Sequence, residues 1–173
     1  MTTVPVENLV FEFAPSVDPF QYEAGGVCVA NWPPRSRVVD VVGNETPQVV
    51  WLVEAKDFRI ITNPPRPTNL AQLAETVEAK VRDTLAALPV VAATSGDVHA
   101  QAHAACAISV GRYRVVLHLE PHPTAGSHAR LFPPGFIANV LLKLRTLVSD
   151  IDLNPLVLDI AHTSRAQVPW SVQ

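Results

Sequence analysis

Cysteine is scarce in this chain, long apolar runs are missing, and neither sign of charge dominates. The 173 residues hold two cysteines, Cys28 and Cys106, which can make one bridge at most, so a disulfide framework is excluded as the organising device. No uninterrupted apolar run approaches the roughly 18 residues that a membrane helix requires. The opening MTTVPVENLV carries neither the basic start nor the apolar block of a secretory signal. A soluble, cytoplasmic protein without membrane contact is therefore expected. Thirteen Lys and Arg against sixteen Asp and Glu give a formal charge of −3, which tells against a nonspecific nucleic-acid coat but leaves room for a local basic groove. No glycine-rich phosphate loop follows a strand, and GxSxG, HExxH and paired CxxC patterns are absent, so nucleotide-loop, serine-elbow and common zinc chemistries have no support.

The remaining composition is that of a chain with a core. Hydrophobic residues make up 48% and charged residues 17%, as in globular proteins. This length suits one domain, residues 1–173, able to bury about two thirds of the surface its unfolded form exposes. Most of the sixteen prolines fall between apolar segments, where they punctuate rather than interrupt. GGVCVANW (25–32), RVVDVVG (37–43) and QVVWLVEAK (48–56) are β-branched runs bounded by Gly, Pro and Asn, and read as strands, the last two joined as a hairpin through NETP. A helix follows, capped by Thr68 or Asn69 and reaching Leu88, with Leu70, Leu73, Ala74, Val77, Val81 and Leu88 at helical spacing. Then come a helix in VHAQAHAACAIS, a strand at 113–120, a helix in GFIANVLLKLRTLV and a strand in PLVLDI. NLVFEF suggests an edge strand and DPFQYEAG a helical turn. This order predicts an α/β (α+β) fold, a mixed sheet flanked by helices.

One hairpin carries chemistry. Strand alternation puts Val50, Leu52, Glu54 and Lys56 on one face, and Val38, Asp40 and Val42 on one face of the preceding strand. A turn near Pro47 sets Asp40 opposite Glu54 or one step diagonal to it, and opposed Cβ atoms lie about 4.5–5.5 Å apart. Two carboxylates at the end of buried strands repel and lose hydration, so they require compensation. Mg²⁺ or Mn²⁺ supplies it, with waters and substrate phosphate completing the shell. Lys56 beside that ion can hold the attacked phosphate, or position and help deprotonate a water.

Asp40, thirteen intervening residues, then Glu54-Ala55-Lys56 in an apolar hairpin ahead of an amphipathic helix resemble the PD-(D/E)xK nuclease superfamily, the restriction-endonuclease-like fold. The resemblance spans residues 23–120 and implies a helix, three antiparallel strands, a second helix and a further strand. It implies a metal-dependent nuclease acting on DNA rather than RNA, with Asp40, Glu54 and Lys56 catalytic. Asp40, Glu54, the Ala55 carbonyl and Glu23 would hold the metal, and Arg59 and Arg66 would bind substrate. Val39 stands where the motif has proline, and Glu23, with Glu12 as a weaker substitute, supplies the first-helix acid.

Other readings stay open. Asp40, Glu54 and Lys56 could form an ordinary salt-bridged cluster, worth about 0–1 kcal/mol if exposed. The scaffold could serve as a catalytically inactive binding module, in immunity, assembly or regulation, and a homodimer or protein partner is compatible with either case. His99, His103 and Cys106 on one helix favour an ordinary helix face over a zinc site. His118 reads as a packed or surface histidine, His122 and His128 as loop residues, Trp51 as core, and Trp32 and Trp170 as possible base-stacking side chains.

Overall fold

The computed structural model describes residues 1–22, 37–59, 70–121 and 135–173. Glu23, Arg66, Cys28, Trp32, His122, His128 and the strand expected at 25–32 lie outside the described residues. The fold is mixed α+β, built on two sheets.

The larger sheet has the order β3-β4-β5-β6-β7: β3 (Asp18–Phe20), β4 (Val41–Glu45), β5 (Val49–Asp57), β6 (Tyr113–Glu120) and β7 (Leu156–Leu158). The first three strands are antiparallel, whereas β5, β6 and β7 run parallel. A parallel neighbour needs a long crossover. Here α1 (Leu70–Thr94) and α2 (Val98–Val110) lie between β5 and β6, and α3 (Phe136–Leu147) between β6 and β7. The smaller sheet, β1-β2-β8, joins β1 (Thr2–Val6), β2 (Leu9–Phe13) and β8 (Trp170–Val172). A short helix, α4 (Ile160–Thr163), precedes β8.

β5 is central because six of its nine side chains are apolar and they lie on both faces. Val50 and Leu52 pack with Val77 and Val81 of α1 and with Val140 and Leu144 of α3. Trp51, Val53 and Ala55 pack with Phe11, Phe13 and Trp170 of the small sheet. Strands covered on both sides read as continuous hydrophobic runs, which is why VVWLV shows no alternation of polarity.

Several sequence expectations are corrected. NLVFEF is the middle strand of the small sheet, not an edge. DPF is a strand, not a helical turn: its Phe20 pairs opposite Val42. The strand expected at 37–43 begins only at Val41, because Thr84 and Asp83 of α1 accept the amides of Val39 and Arg37 and draw the chain off the ladder. α1 passes through Pro89 and reaches Thr94. An interior proline costs about 3 kcal/mol, and burying Leu88 and Val91 on either side of it returns about 1.5–3 kcal/mol each. Trp170 is buried against Phe13 and Trp51, so it offers no stacking face.

Candidate active site

β5 outruns its antiparallel neighbour. The ladder ends at Val41↔Val53, and one further step sets Asp40 across from Glu54. From there to Asp57 no strand of the described residues lies along the outer edge of β5. Backbone direction alternates: Val50 and Phe58 donate to Arg112 and Glu120 on the β6 side, so the amides of Ala55 and Asp57 face the outer side. Carboxylates accept those amides. Asp40 Oδ2 accepts the Ala55 N–H at 2.8 Å, and Glu7 Oε2, from the β1–β2 turn, accepts the Asp57 N–H at 2.8 Å.

The side chains of Glu54 and Lys56 project toward α1, where Lys80 meets them. Its ammonium lies 2.9 Å from Glu54 Oε2 and 3.6 Å from Asp40 Oδ1. Asp40 and Glu54 therefore converge on one point, within joint reach of a single cation. Lys56 Nζ lies 3.1 Å from Glu54 Oε1 and 3.2 Å from Glu7 Oε1. Glu54 Oε1 is thus paired by charge with Lys56, in a poor hydrogen-bond geometry, and has no other partner among the described residues.

Burial decides the electrostatics. Glu54 is 0% exposed, and desolvation, followed by repulsion from Asp40, raises its pKa above the ordinary 4.5 despite both lysines. For Lys56 burial pulls the other way, but Glu54, Glu7 and Asp40 together outweigh it, and its pKa lies above the usual lysine value. These acids hold Lys56 as an ammonium, which suits it to binding an anion rather than to the part in deprotonating a water expected from the sequence.

Of the residues expected at the site, the structure brings together Asp40, Glu54, Ala55 and Lys56. The described contact of Ala55 is its N–H. Glu12, the weaker candidate for a first-helix acid, lies in β2 and hydrogen-bonds to Ser171 and Gln173 at 3.4 and 3.1 Å. Arg59 is forked onto Asp57, Nε to Oδ1 and Nη2 to Oδ2, both at 2.9 Å. Asp57 shares a face with Glu120, its register partner on β6, opposite Lys56. His118 lies there too, 0% exposed and 2.8 Å from Glu120. His103 is buried between the Tyr22 hydroxyl and the Asp18 carbonyl, and Cys106 lies 3.2 Å from the Thr46 hydroxyl.

Sequence reasoning missed Lys80 and Glu7. Lys80 left a signal: it falls three residues after Val77 and four before Thr84, on the buried stripe of α1, where a lysine needs a carboxylate. Glu7 left none, because nothing local places a turn of one sheet over the strand end of another.

Among the described residues no group of three His, Cys, Asp or Glu side chains is placed to share an ion. Two carboxylates suffice for Mg²⁺, which commonly keeps several waters and takes substrate oxygens. The donor set fits such an ion: two oxygens aimed at one point, one buried carboxylate oxygen without a hydrogen bond, and a cation already held between them by Lys80. None of the described helices is long and apolar enough to cross a membrane. Compared with protein-family models, curated proteins and solved structures, the chain matches none.

Proposed function

We propose that the protein is a metal-dependent phosphodiesterase, a nuclease acting on DNA, with Asp40 and Glu54 holding Mg²⁺ or Mn²⁺. The observation that carries this reading is the convergence of two carboxylates from opposed strand positions on one cation-sized point, with an ammonium that stays charged beside it. Three antiparallel strands, a helical crossover and a parallel strand are compatible with the later part of the arrangement implied by the resemblance, whereas the described residues ahead of β3 form the β1-β2 hairpin in place of the implied first helix. DNA as substrate rests on that resemblance alone.

A bound divalent ion would supply a water of lowered pKa and offset charge on the phosphate oxygens. The chain's own residues do the rest. Asp40 is oriented by the Ala55 N–H, which fixes Oδ2 and leaves Oδ1 aimed inward. Glu54 is rigid because β5 is covered on both faces. Lys56 holds a phosphate oxygen and keeps its proton. Lys80 balances the two acids until another cation reaches them. Glu23, the Ala55 carbonyl and Arg66 belong to this proposal as additional metal and substrate contacts. Arg59, already spent on Asp57, is the weakest of the proposed contacts.

The test is cleavage of single- and double-stranded DNA with millimolar Mg²⁺ or Mn²⁺ by wild type, Glu54→Gln and Lys56→Met. Metal-dependent cleavage lost in both variants supports the reading. Cleavage that survives Glu54→Gln, or none in wild type at any metal concentration, overturns it. Lys80 also favours a second reading, an inactive binding module whose acids are permanently neutralised. In that case Mn²⁺ leaves the melting temperature unchanged.

A further inference from the structure

Glu7 occupies a backbone position that its own side chain does not favour. Val6 pairs with Leu9, so Glu7 and Asn8 form a two-residue turn. Glu7 has φ +53°, and among the described residues no other non-glycine has a positive φ. A positive φ at the first turn residue alone is the pattern of a type II′ hairpin, a position that glycine normally fills. An L side chain held there is strained, and such strain collects where another interaction fixes the residue. The compensating contacts are visible. One Glu7 oxygen lies 3.2 Å from the Lys56 ammonium and the other accepts the Asp57 N–H at 2.8 Å.

Those two donors are what a phosphate oxygen pair would use: a fixed positive charge and an outward backbone N–H beside it. Both sit at the outer edge of β5, beyond the last described rung of its ladder with β4 and next to the point where Asp40 and Glu54 converge. Glu7 comes from the other sheet, and its side chain is 39% exposed, so it can leave without opening a core. The acids near Lys56 have separate duties: Asp40 caps the Ala55 N–H, Glu54 is buried against Lys80, and Glu7 alone joins Lys56 to the backbone amide.

We infer that Lys56 Nζ and the Asp57 N–H form an anion cradle for a phosphodiester oxygen, and that the Glu7 carboxylate fills it at rest as an internal substitute for phosphate. The cradle rests on the proposed phosphodiester chemistry for its natural ligand, but not for its affinity toward phosphate. A cradle filled about nine-tenths of the time by its own carboxylate binds an external anion about tenfold more weakly than an empty one.

The experiment measures binding of inorganic phosphate and of a short oligodeoxynucleotide by calorimetry in EDTA, so that no metal contributes. Glu7→Gly removes the carboxylate and gives the turn the residue its φ prefers, so the variant keeps a melting temperature close to wild type. Glu7→Gln removes the charge and keeps the side chain, guarding against a backbone effect. Both are expected to bind about tenfold more tightly than wild type. Adding Lys56→Met abolishes the gain, and Glu75→Gln, an exposed acid on α1, gives none. The inference is overturned if the Glu7 variants bind no more tightly, if the gain survives Lys56→Met, or if Glu75→Gln reproduces it. A gain in affinity without DNA cleavage in Mn²⁺ leaves the cradle standing and removes the nuclease reading.

Discussion

The end of β5 carries two charged clusters on opposite faces, and they differ in how completely their groups are used. Behind the strand, each carboxylate serves fixed donors: Asp57 takes three hydrogen bonds from Arg59, and Glu120 Oε1 takes both the Ile160 N–H at 2.6 Å and His118. That cluster ties β5, β6 and α4 together. In front, Asp40, Glu54, Lys56 and Lys80 balance one another, yet Glu54 keeps an oxygen without a hydrogen bond and a pKa raised by burial. Charge that is buried, compensated and incompletely hydrogen-bonded is poor for stability and typical of sites with a task. Among the described residues His118 Nδ1 is the loose end of the rear cluster, on a ring packed edge-on against Phe11.

The largest expected difference between the two faces is catalytic. Glu54→Gln should lower metal-dependent DNA cleavage on the order of 10³-fold, about 4 kcal/mol of barrier, whereas Glu120→Gln should leave the rate within a few fold. Equal losses would erase the contrast. Next comes stability. Lys80→Met leaves Glu54 and Asp40 short of a partner and should cost about 3 kcal/mol in urea unfolding, with Mn²⁺ at a hundred times its Kd restoring about 2.7 kcal/mol. Glu120→Ala, which strands the Ile160 N–H and His118, should cost about 2 kcal/mol and show no metal rescue.

A smaller effect concerns pH. Burial, opposed by Glu120, holds the His118 pKa below the ordinary 6.5, and Asp57, Asp159 and Arg59 also act on the ring or its partner. Between that lowered value and 6.5 the unfolded chain binds a proton that the folded chain refuses, so stability falls as pH drops through this window. The slope from one histidine cannot exceed about 1.4 kcal/mol per pH unit. His118→Gln should flatten it in denaturant titrations at successive pH values, leaving the part due to His103, which is shifted in the same direction. Smallest of all is the effect on substrate: Arg59→Ala should leave the salt dependence of DNA binding unchanged, while costing about 1–3 kcal/mol of stability because the buried Asp57 carboxylate keeps only the backbone N–H of residue 59. A reduced salt slope would restore Arg59 to the substrate site.

Much of the front face was legible in the sequence, because strand alternation and a short turn are local rules. The placement of Asp40 opposite Glu54 or one step diagonal to it followed from the spacing around Pro47, and the ladder ends one step short of it at Val41↔Val53, with Asp40 Oδ2 accepting the Ala55 N–H. The strand at 113–120 was bounded correctly for the same reason. What escaped notice was non-local. β8 exists because it pairs with β2 across nearly the whole length of the chain, and that pairing makes β2 the middle strand of a sheet whose other edge is its local hairpin partner β1. The late start of β4 depends on two side chains of α1. Lys80 reads as one more solvated lysine until its place on the buried stripe is considered, and Glu7 reaches Lys56 only through the packing of one sheet on another.

The central claim is that Asp40 and Glu54 together form a site for a divalent cation that Lys80 otherwise fills. Calorimetric titration of Mn²⁺ into wild type and into Glu54→Gln addresses it most directly. One ion bound per chain by wild type, and none by Glu54→Gln, is the expected result. Heat signals alike in both proteins, or no binding to either at millimolar Mn²⁺, would contradict it.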